Sequence, residues 1–218
     1  MDADEAKFAR QRRAMVDRQL RARDIHDERV LRAMAEVPRE RFIPPARRGE
    51  AYGDHPVPIG AGQTISQPYV VALMTQELDV RPTHRVLEVG AGSGYQTAVL
   101  ARLAGAVCAV ERVASLAEGA GAVLADLGIE NVTLRVGDGT LGWPEEAPFD
   151  RILCGAGGPE VPPAWIAQLA DGGRIVMPTG AADVQQLVTV DVRGGRATQR
   201  QICGVRFVRL IGEQGWPE

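Results

Sequence analysis

The 218-residue chain is poor in aromatic residues (5%), in cysteine (three) and in histidine (three), and it has neither a long hydrophobic run nor a strong excess of one charge. Each shortage excludes something. No apolar stretch approaches the ~20 residues that a membrane-spanning helix needs. The N-terminus is charged, unlike a secretory leader with a basic start and an apolar segment. Cys108, Cys154 and Cys203 lie far apart in apolar, strand-like runs. That predicts buried free thiols rather than a disulfide framework, and a reducing, cytoplasmic compartment. His26, His55 and His84 show no ligand spacing, so no metal is expected. A net charge of −3 gives no global pull toward nucleic acid. The basic stretch of Lys7, Arg10, Arg12, Arg13, Arg18, Arg21 and Arg23 is interspersed with Asp2, Asp4, Glu5, Asp17 and Asp24. It reads as a solvated helix face rather than a nucleic-acid arm.

What is present is ordinary for a globular protein: 45% hydrophobic and 24% charged residues. Residues 6–34 predict two helices broken near Arg23-Asp24-Ile25, with Asp27 placed to cap the second. Pro38, Pro44, Pro45, Pro56 and Pro58 disfavour helix up to Gly62 and predict a loop or irregular segment. Pro68 suits the first turn of a helix over 68–78, with Ser66 or Gln67 near its N-cap. From residue 85 the pattern is regular. Strands are predicted at 85–89, 106–111, 132–136, 151–155 and 173–177, and helices at 95–103, 114–127 and 163–169. This alternation implies a parallel sheet with helices on both faces. Then 186–192, 196–202 and 205–210 read as consecutive strands, with Gly194-Gly195 as a hairpin turn. The expected fold class is α/β, a doubly wound sheet with an antiparallel C-terminal addition.

The most informative segment is Glu88-Val89-Gly90-Ala91-Gly92-Ser93-Gly94, between a predicted strand and a predicted helix. Its glycines are spaced G-x-G-x-G, so the third falls one place too early for the dinucleotide fingerprint, where Tyr95 stands. Glu88 at the strand end would repel a pyrophosphate and hold a cation. S-adenosylmethionine (SAM) has no phosphate and carries an ammonium and a sulfonium, so the loop reads as a SAM site. Gly90 and Gly92 would let backbone approach the ligand. Glu111 ends the next strand, 21 residues after Gly90. Its carboxylate would accept from a ribose diol. Asp138 and Gly139 end the third strand, where Asp138 would accept from the adenine amino group. Any one of these alone has an ordinary structural explanation; three successive strand ends together point to a nucleotide-type site.

The stretch Gly60 to Pro68 is polar, contains glycine and precedes a helix. It offers hydroxyls and helix N-terminal amides to an anion, but the residues alone favour an ordinary N-cap with Ser66 capping.

Taken together, these residues resemble the protein-L-isoaspartate O-methyltransferase family of SAM-dependent repair enzymes, from about Met15 to Trp216. The most specific segment is Ala51-Tyr52-Gly53-Asp54-His55-Pro56-Val57-Pro58-Ile59-Gly60, continuing through Gln63-Thr64-Ile65-Ser66-Gln67-Pro68-Tyr69. Residues 86–101, Val136-Gly137-Asp138-Gly139 and 168–174 match as well. The resemblance implies a Rossmann-like SAM methyltransferase domain over 1–218. Within it, 1–80 is a helical, substrate-covering segment, 81–180 the SAM core and 181–218 the C-terminal strands. It implies Ser66 as the active-site serine and SAM contacts from Thr64, Ile65 and Ser66, beside Glu88, Gly90, Gly92, Glu111, Asp138 and Gly139. Asp54, Val205 and Phe207 are expected in the substrate groove. The implied reaction is methyl transfer from SAM, leaving S-adenosylhomocysteine, to the α-carboxylate of L-isoaspartyl residues in peptides and proteins. A cytoplasmic monomer without metal, nucleic acid or membrane partner is expected. Two departures from the family pattern bear on the peptide groove: Arg209, where proline is usual, and the turn Gly155-Ala156-Gly157-Gly158. They leave open a tailoring enzyme acting on a dedicated precursor peptide; a catalytically silent SAM-binding module is the reading from another class.

Overall fold

Residues 3–218 are described by the structure, a computed structural model; Met1 and Asp2 of the expected 1–218 domain lie outside the described residues. Helix α1 (Ala3–Met15) runs into a wider π-helical turn, Val16–Arg21, before the chain breaks and α2 (Glu28–Glu36) begins. Asp27 caps α2 as expected, its carboxylate accepting from the Arg29 N–H at 2.9 Å. Such a cap contributes about 1 kcal/mol. The basic residues of α1 and the π turn face solvent, apart from half-buried Arg12.

After two 3-10 turns, Arg39–Phe42 and Pro45–Glu50, the proline-rich stretch departs from the irregular segment its prolines predict. It forms a hairpin of β1 (Val57–Gly60) and β2 (Gln63–Ile65). Val57 and Ile59 point inward and Pro58 outward, so the missing proline N–H falls on the solvent side. The turn is made by Gly60, Ala61 and Gly62, all at positive φ. Helix α3 spans Pro68–Leu78, with Gln67 as its N-cap residue. Ser66 therefore stands outside the helix, and the N-capping account of it is not realised.

The sheet holds β3 (Arg85–Val89), β4 (Ala106–Glu111), β5 (Val132–Val136), β6 (Phe149–Cys154), β7 (Leu169–Gly180), β8 (Gln185–Arg193) and β9 (Arg196–Val205). Between them lie α4 (Tyr95–Ala101), α5 (Ala114–Asp126) and α6 (Pro163–Gln168). The strand order is β5-β4-β3-β6-β7-β8-β9, parallel through β7 and antiparallel beyond it. Gly194 and Gly195 both have positive φ, as the β8–β9 hairpin requires. The central strands are buried on both faces, which explains their continuous apolar runs. Val86, Val107, Leu153 and Val176 join a core with α2 to α5. Their neighbours Leu87, Cys108, Ile152 and Ile175 join a second core with Trp143, Trp165 of α6 and Leu210.

The strand predicted over 205–210 does not form. β9 ends at Val205 because its partner β8 begins at Gln185, so no ladder remains to extend. The chain instead becomes a strap, tied to Gly157 by a single bridge at Arg209. β3 is flanked by β4 on one side and β6 on the other, so the strand order reverses between β3 and β6. In open α/β sheets the ligand crevice lies beyond the carboxyl ends at such a reversal. Here that places it at Gly90 and Gly155.

Candidate active site

The glycine turn is held from β4. Gly90 N–H donates to the Val110 carbonyl at 2.8 Å. The Glu111 carboxylate accepts from Gly92 N–H through Oε2 and from Val113 N–H through Oε1, each at 2.8 Å. Gly90 and Gly92 have φ of 80° and 56°. A side chain there would cost roughly 1–2 kcal/mol in backbone strain and would intrude on the crevice. Gly139 is required for another reason: a Cβ would run into Val89.

Two adjoining cavities open at this turn, of about 460 and 1000 Å³. The smaller is lined by Thr64, Ile65, Ser66, Glu88, Gly90 and Phe207, among others. The larger is lined by Thr64, Gly90, Gly92, Glu111, Gly139 and Arg209, among others. Thr64, Gly90, Gly92 and Gly155 border both. Residues from the predicted cofactor loop and from the upstream Thr64-Ile65-Ser66 segment thus share one continuous crevice.

Glu88 is 1% exposed and its Oε2 has no hydrogen-bond partner among the described residues. Burial pushes its carboxyl up to about 8, against a lowering pull from the Thr97 hydroxyl and with a further upward push from Glu111. An unpartnered acceptor bordering a cavity suits a cationic donor. Glu111 spends one acceptor site of each oxygen on backbone and keeps capacity for hydroxyls. The two acids and the side-chain-free turn are chemically compatible with SAM, which carries a cationic ammonium and a ribose diol.

Three expected residues line neither cavity. Asp138 lies in a third groove, with Gly212 and residues 216–218, which shares Arg112 and Ile211 with the larger cavity. Its Oδ1 accepts from Thr140 N–H and hydroxyl, and its Oδ2 from Glu213 N–H. Burial raises its carboxyl, but these bonds outweigh burial and hold it below the usual range. It serves a turn and the C-terminal tail. Asp54 is exposed, paired with Arg23 and accepting from Gln67 Nε2 at 2.8 Å. It joins the chain just after the π-helical turn to the loop before α3 and does not line either cavity. Val205, last in β9, packs against the first core.

The two departures from the family pattern prove to be in contact. Gly157 N–H donates to the Val208 carbonyl and Gly157 accepts from Leu210 N–H, both at 2.8 Å. Neither bond uses the N–H of residue 209, so the strap's anchorage does not depend on whether proline or arginine stands there. Gln185, 1% exposed, accepts from Phe207 N–H at 2.8 Å and fixes the strap's other end. Gln185 carried no signal in the sequence, and neither did Arg39, a fully buried arginine that donates to the Ser66 carbonyl at 2.8 Å.

Cys108 and Cys154 are buried free thiols as expected, whereas Cys203 is only half-buried. Burial pushes the Cys154 thiol up to about 12, which keeps it protonated and unreactive. Among the described residues no cluster of His, Cys, Asp and Glu could hold a metal ion, and no helix is long and apolar enough to cross a membrane.

Comparison with known proteins agrees with this geometry. Residues 10–215 match the family model described as protein-L-isoaspartate(D-aspartate) O-methyltransferase (PCMT). A protein-L-isoaspartate O-methyltransferase of Syntrophus aciditrophicus is 51% identical over 215 residues, covering 96% of this chain and 98% of the relative. One from Methanoregula boonei is 54% identical over 206 residues, covering 94% and 95%. Among solved structures, a protein-L-isoaspartate O-methyltransferase superposes with a TM-score of 0.84 at 30% identity, over 93% of this chain and 67% of that one. A Plasmodium falciparum PCMT in complex with S-adenosyl-L-homocysteine gives 0.81 at 27% identity, over 92% and 98%.

Proposed function

The chain belongs to the protein-L-isoaspartate(D-aspartate) O-methyltransferase family, and from that premise we propose how its own residues carry the reaction. It is a SAM-dependent repair enzyme that methylates the α-carboxylate of L-isoaspartyl residues in damaged peptides and proteins. The observation that carries the site assignment is the shared crevice. Ser66, Glu88 and Gly90 line one cavity, and the Ser66 hydroxyl makes no bond to the protein among the described residues.

Bound SAM supplies a methyl group activated by the sulfonium. Gly90 and Gly92 admit it to the backbone, Glu88 holds its ammonium and Glu111 its ribose hydroxyls, while Thr64, Ile65 and Ser66 close the crevice from the hairpin side. The substrate carboxylate has an ordinary pKa near ~4 and is ionised at neutral pH, so no general base is needed. Ser66 donates its hydroxyl to one carboxylate oxygen and turns the other toward the methyl group. Phe207 and the strap wall the site and exclude water. A poorly hydrated site favours the loss of charge as sulfonium and carboxylate react. Alignment alone contributes on the order of 7–11 kcal/mol. The methyl ester then closes to a succinimide without further help, because methoxide leaves more readily than oxide, and hydrolysis returns part of the product as normal aspartate.

The test is Ser66→Ala assayed by labelled methyl transfer to matched isoaspartyl and aspartyl peptides. Loss of one oriented hydrogen bond to a carboxylate lowers kcat by roughly 10–100-fold, with SAM affinity little changed. Unchanged turnover on the isoaspartyl peptide removes Ser66 from the mechanism; equal turnover on both peptides points to a dedicated aspartyl substrate.

We further read the chain as one domain acting as a cytoplasmic monomer. Supporting this, Val136 and Val184 are the only large exposed hydrophobics among the described residues, too few for an oligomer interface, and the three cysteines are unpaired. Light scattering checks the monomer.

A further inference from the structure

A buried cation behind the substrate loop has no part in the chemistry described so far. Arg39, on the 3-10 turn after α2, is 0% exposed. Its Nε donates to the Ala51 carbonyl at 2.7 Å and its Nη2 to the Ser66 carbonyl at 2.8 Å. Its guanidinium lies over the Tyr95 ring, 4.9 Å from the centroid. Tyr95 is the first residue of α4, directly after the glycine turn. One side chain thus touches the segment carrying Ser66, the segment before the hairpin and the residue that follows the cofactor loop.

This is a costly arrangement. Arg39 has no ion pair among the described residues, and its Nη1 is buried without a partner. The carboxylate next along the chain, Glu40, is instead bonded by the Tyr52 hydroxyl. Burial without a counter-charge destabilises a cation, and an apolar side chain of similar volume would fill the space at lower cost. What only the guanidinium supplies is a rigid, planar fork that grips two carbonyls while its face stacks on a ring. The Ser66 carbonyl belongs to the peptide that leads into α3, so gripping it fixes the orientation of the Ser66 backbone from which the hydroxyl projects.

We propose that Arg39 is a positioning residue for Ser66: clamped between the Ala51 carbonyl and the Tyr95 ring, its guanidinium sets where the serine hydroxyl stands relative to the glycine turn. Displacing a reacting group by ~1 Å costs about 100-fold in rate, so the grip matters for turnover more than for cofactor binding. The inference rests on the assignment of Ser66, and the test separates the two.

Arg39→Lys, Ser66→Ala and the double variant are prepared in the full chain. Each is checked for native circular dichroism and S-adenosylhomocysteine binding, and assayed on an isoaspartyl peptide. Lysine keeps the charge and loses the fork. The expected result is a kcat for Arg39→Lys reduced about tenfold or more, KM for the peptide and cofactor affinity within about threefold, and little further loss when Arg39→Lys is added to Ser66→Ala, because residues acting as a unit are non-additive. A purely structural role would lower the melting temperature and leave kcat of the folded protein intact. Full kcat in folded Arg39→Lys beside an impaired Ser66→Ala overturns the proposal, as does a loss that multiplies with that of Ser66→Ala. Full turnover of Ser66→Ala alone overturns the serine assignment and with it the route given to Arg39. Arg39→Gln, which buries no charge and keeps one N–H for the Ser66 carbonyl, carries the same test if the lysine variant does not fold.

Discussion

Glu88 sets folding against binding. Its carboxyl rises from 4.5 to about 8 on folding, so the folded chain holds this proton more tightly than the unfolded one. The ligand-free protein therefore loses stability as pH rises from about 4.5 to 8 and levels off above that. In Glu88→Gln that slope flattens, and the melting temperature at pH 8 rises by roughly 2–4 °C for each kcal/mol recovered. On the proposed assignment of Glu88 to the cofactor's ammonium, the same change weakens SAM binding about tenfold or more. Scanning calorimetry across pH and titration calorimetry with SAM read the two effects; a variant that loses stability at pH 8 refutes the account. Glu88 and Asp138 were alike in the sequence, each an acid at a strand end. What separates them is the C-terminal tail, which brings the Glu213 N–H to Asp138 and leaves Glu88 Oε2 open. No local pattern foretells a partner 75 residues away.

At the scale of elements, β3, β4, β5 and α3 occupy the very residues that periodicity and Pro68 indicate. Their patterns are strong because both sheet faces are buried and because proline suits a first helical turn. The hairpin of β1 and β2 was hidden by its prolines, which argue against helix but are tolerated on an edge strand. The strap over 206–210 departs from its sequence pattern for the opposite reason. Its apolar residues look like a strand, but strand formation needs a neighbour, and β8 has none to offer beyond Gln185. The strap depends on side-chain and turn contacts instead. Gln185→Ala leaves the Phe207 N–H without its acceptor and costs about 1–3 kcal/mol. Urea unfolding reads the loss, and the same variant is expected to raise KM for the isoaspartyl peptide several-fold by loosening Phe207. An unaltered KM would separate the strap from substrate binding.

Across the whole molecule, the crevice proposed to hold the cofactor is shared between distant segments: the hairpin, the ends of β3, β4 and β6, and the strap. A ligand that binds there holds all of them in the folded state only. S-adenosylhomocysteine at 100 times its Kd is expected to stabilise the protein by about 2.7 kcal/mol, a rise in melting temperature of roughly 5–10 °C for a chain of this size. Differential scanning fluorimetry against ligand concentration checks it, and a flat response would argue against the crevice as the cofactor site.

The sequence by itself determined the cofactor class and the α/β fold, because glycine spacing, strand-end carboxylates and burial on both sheet faces are local demands that leave local marks. The resemblance in residues 51–69 added the substrate and pointed to Ser66. The tertiary structure alone decided which acids face the crevice, that Ser66 stands clear of the α3 cap, and that Arg39 and Gln185 grip the backbones of Ser66 and Phe207. Those outcomes depend on which backbone groups and side chains meet across tens of residues, and a residue's type records what it can bond to, not what the fold brings to it.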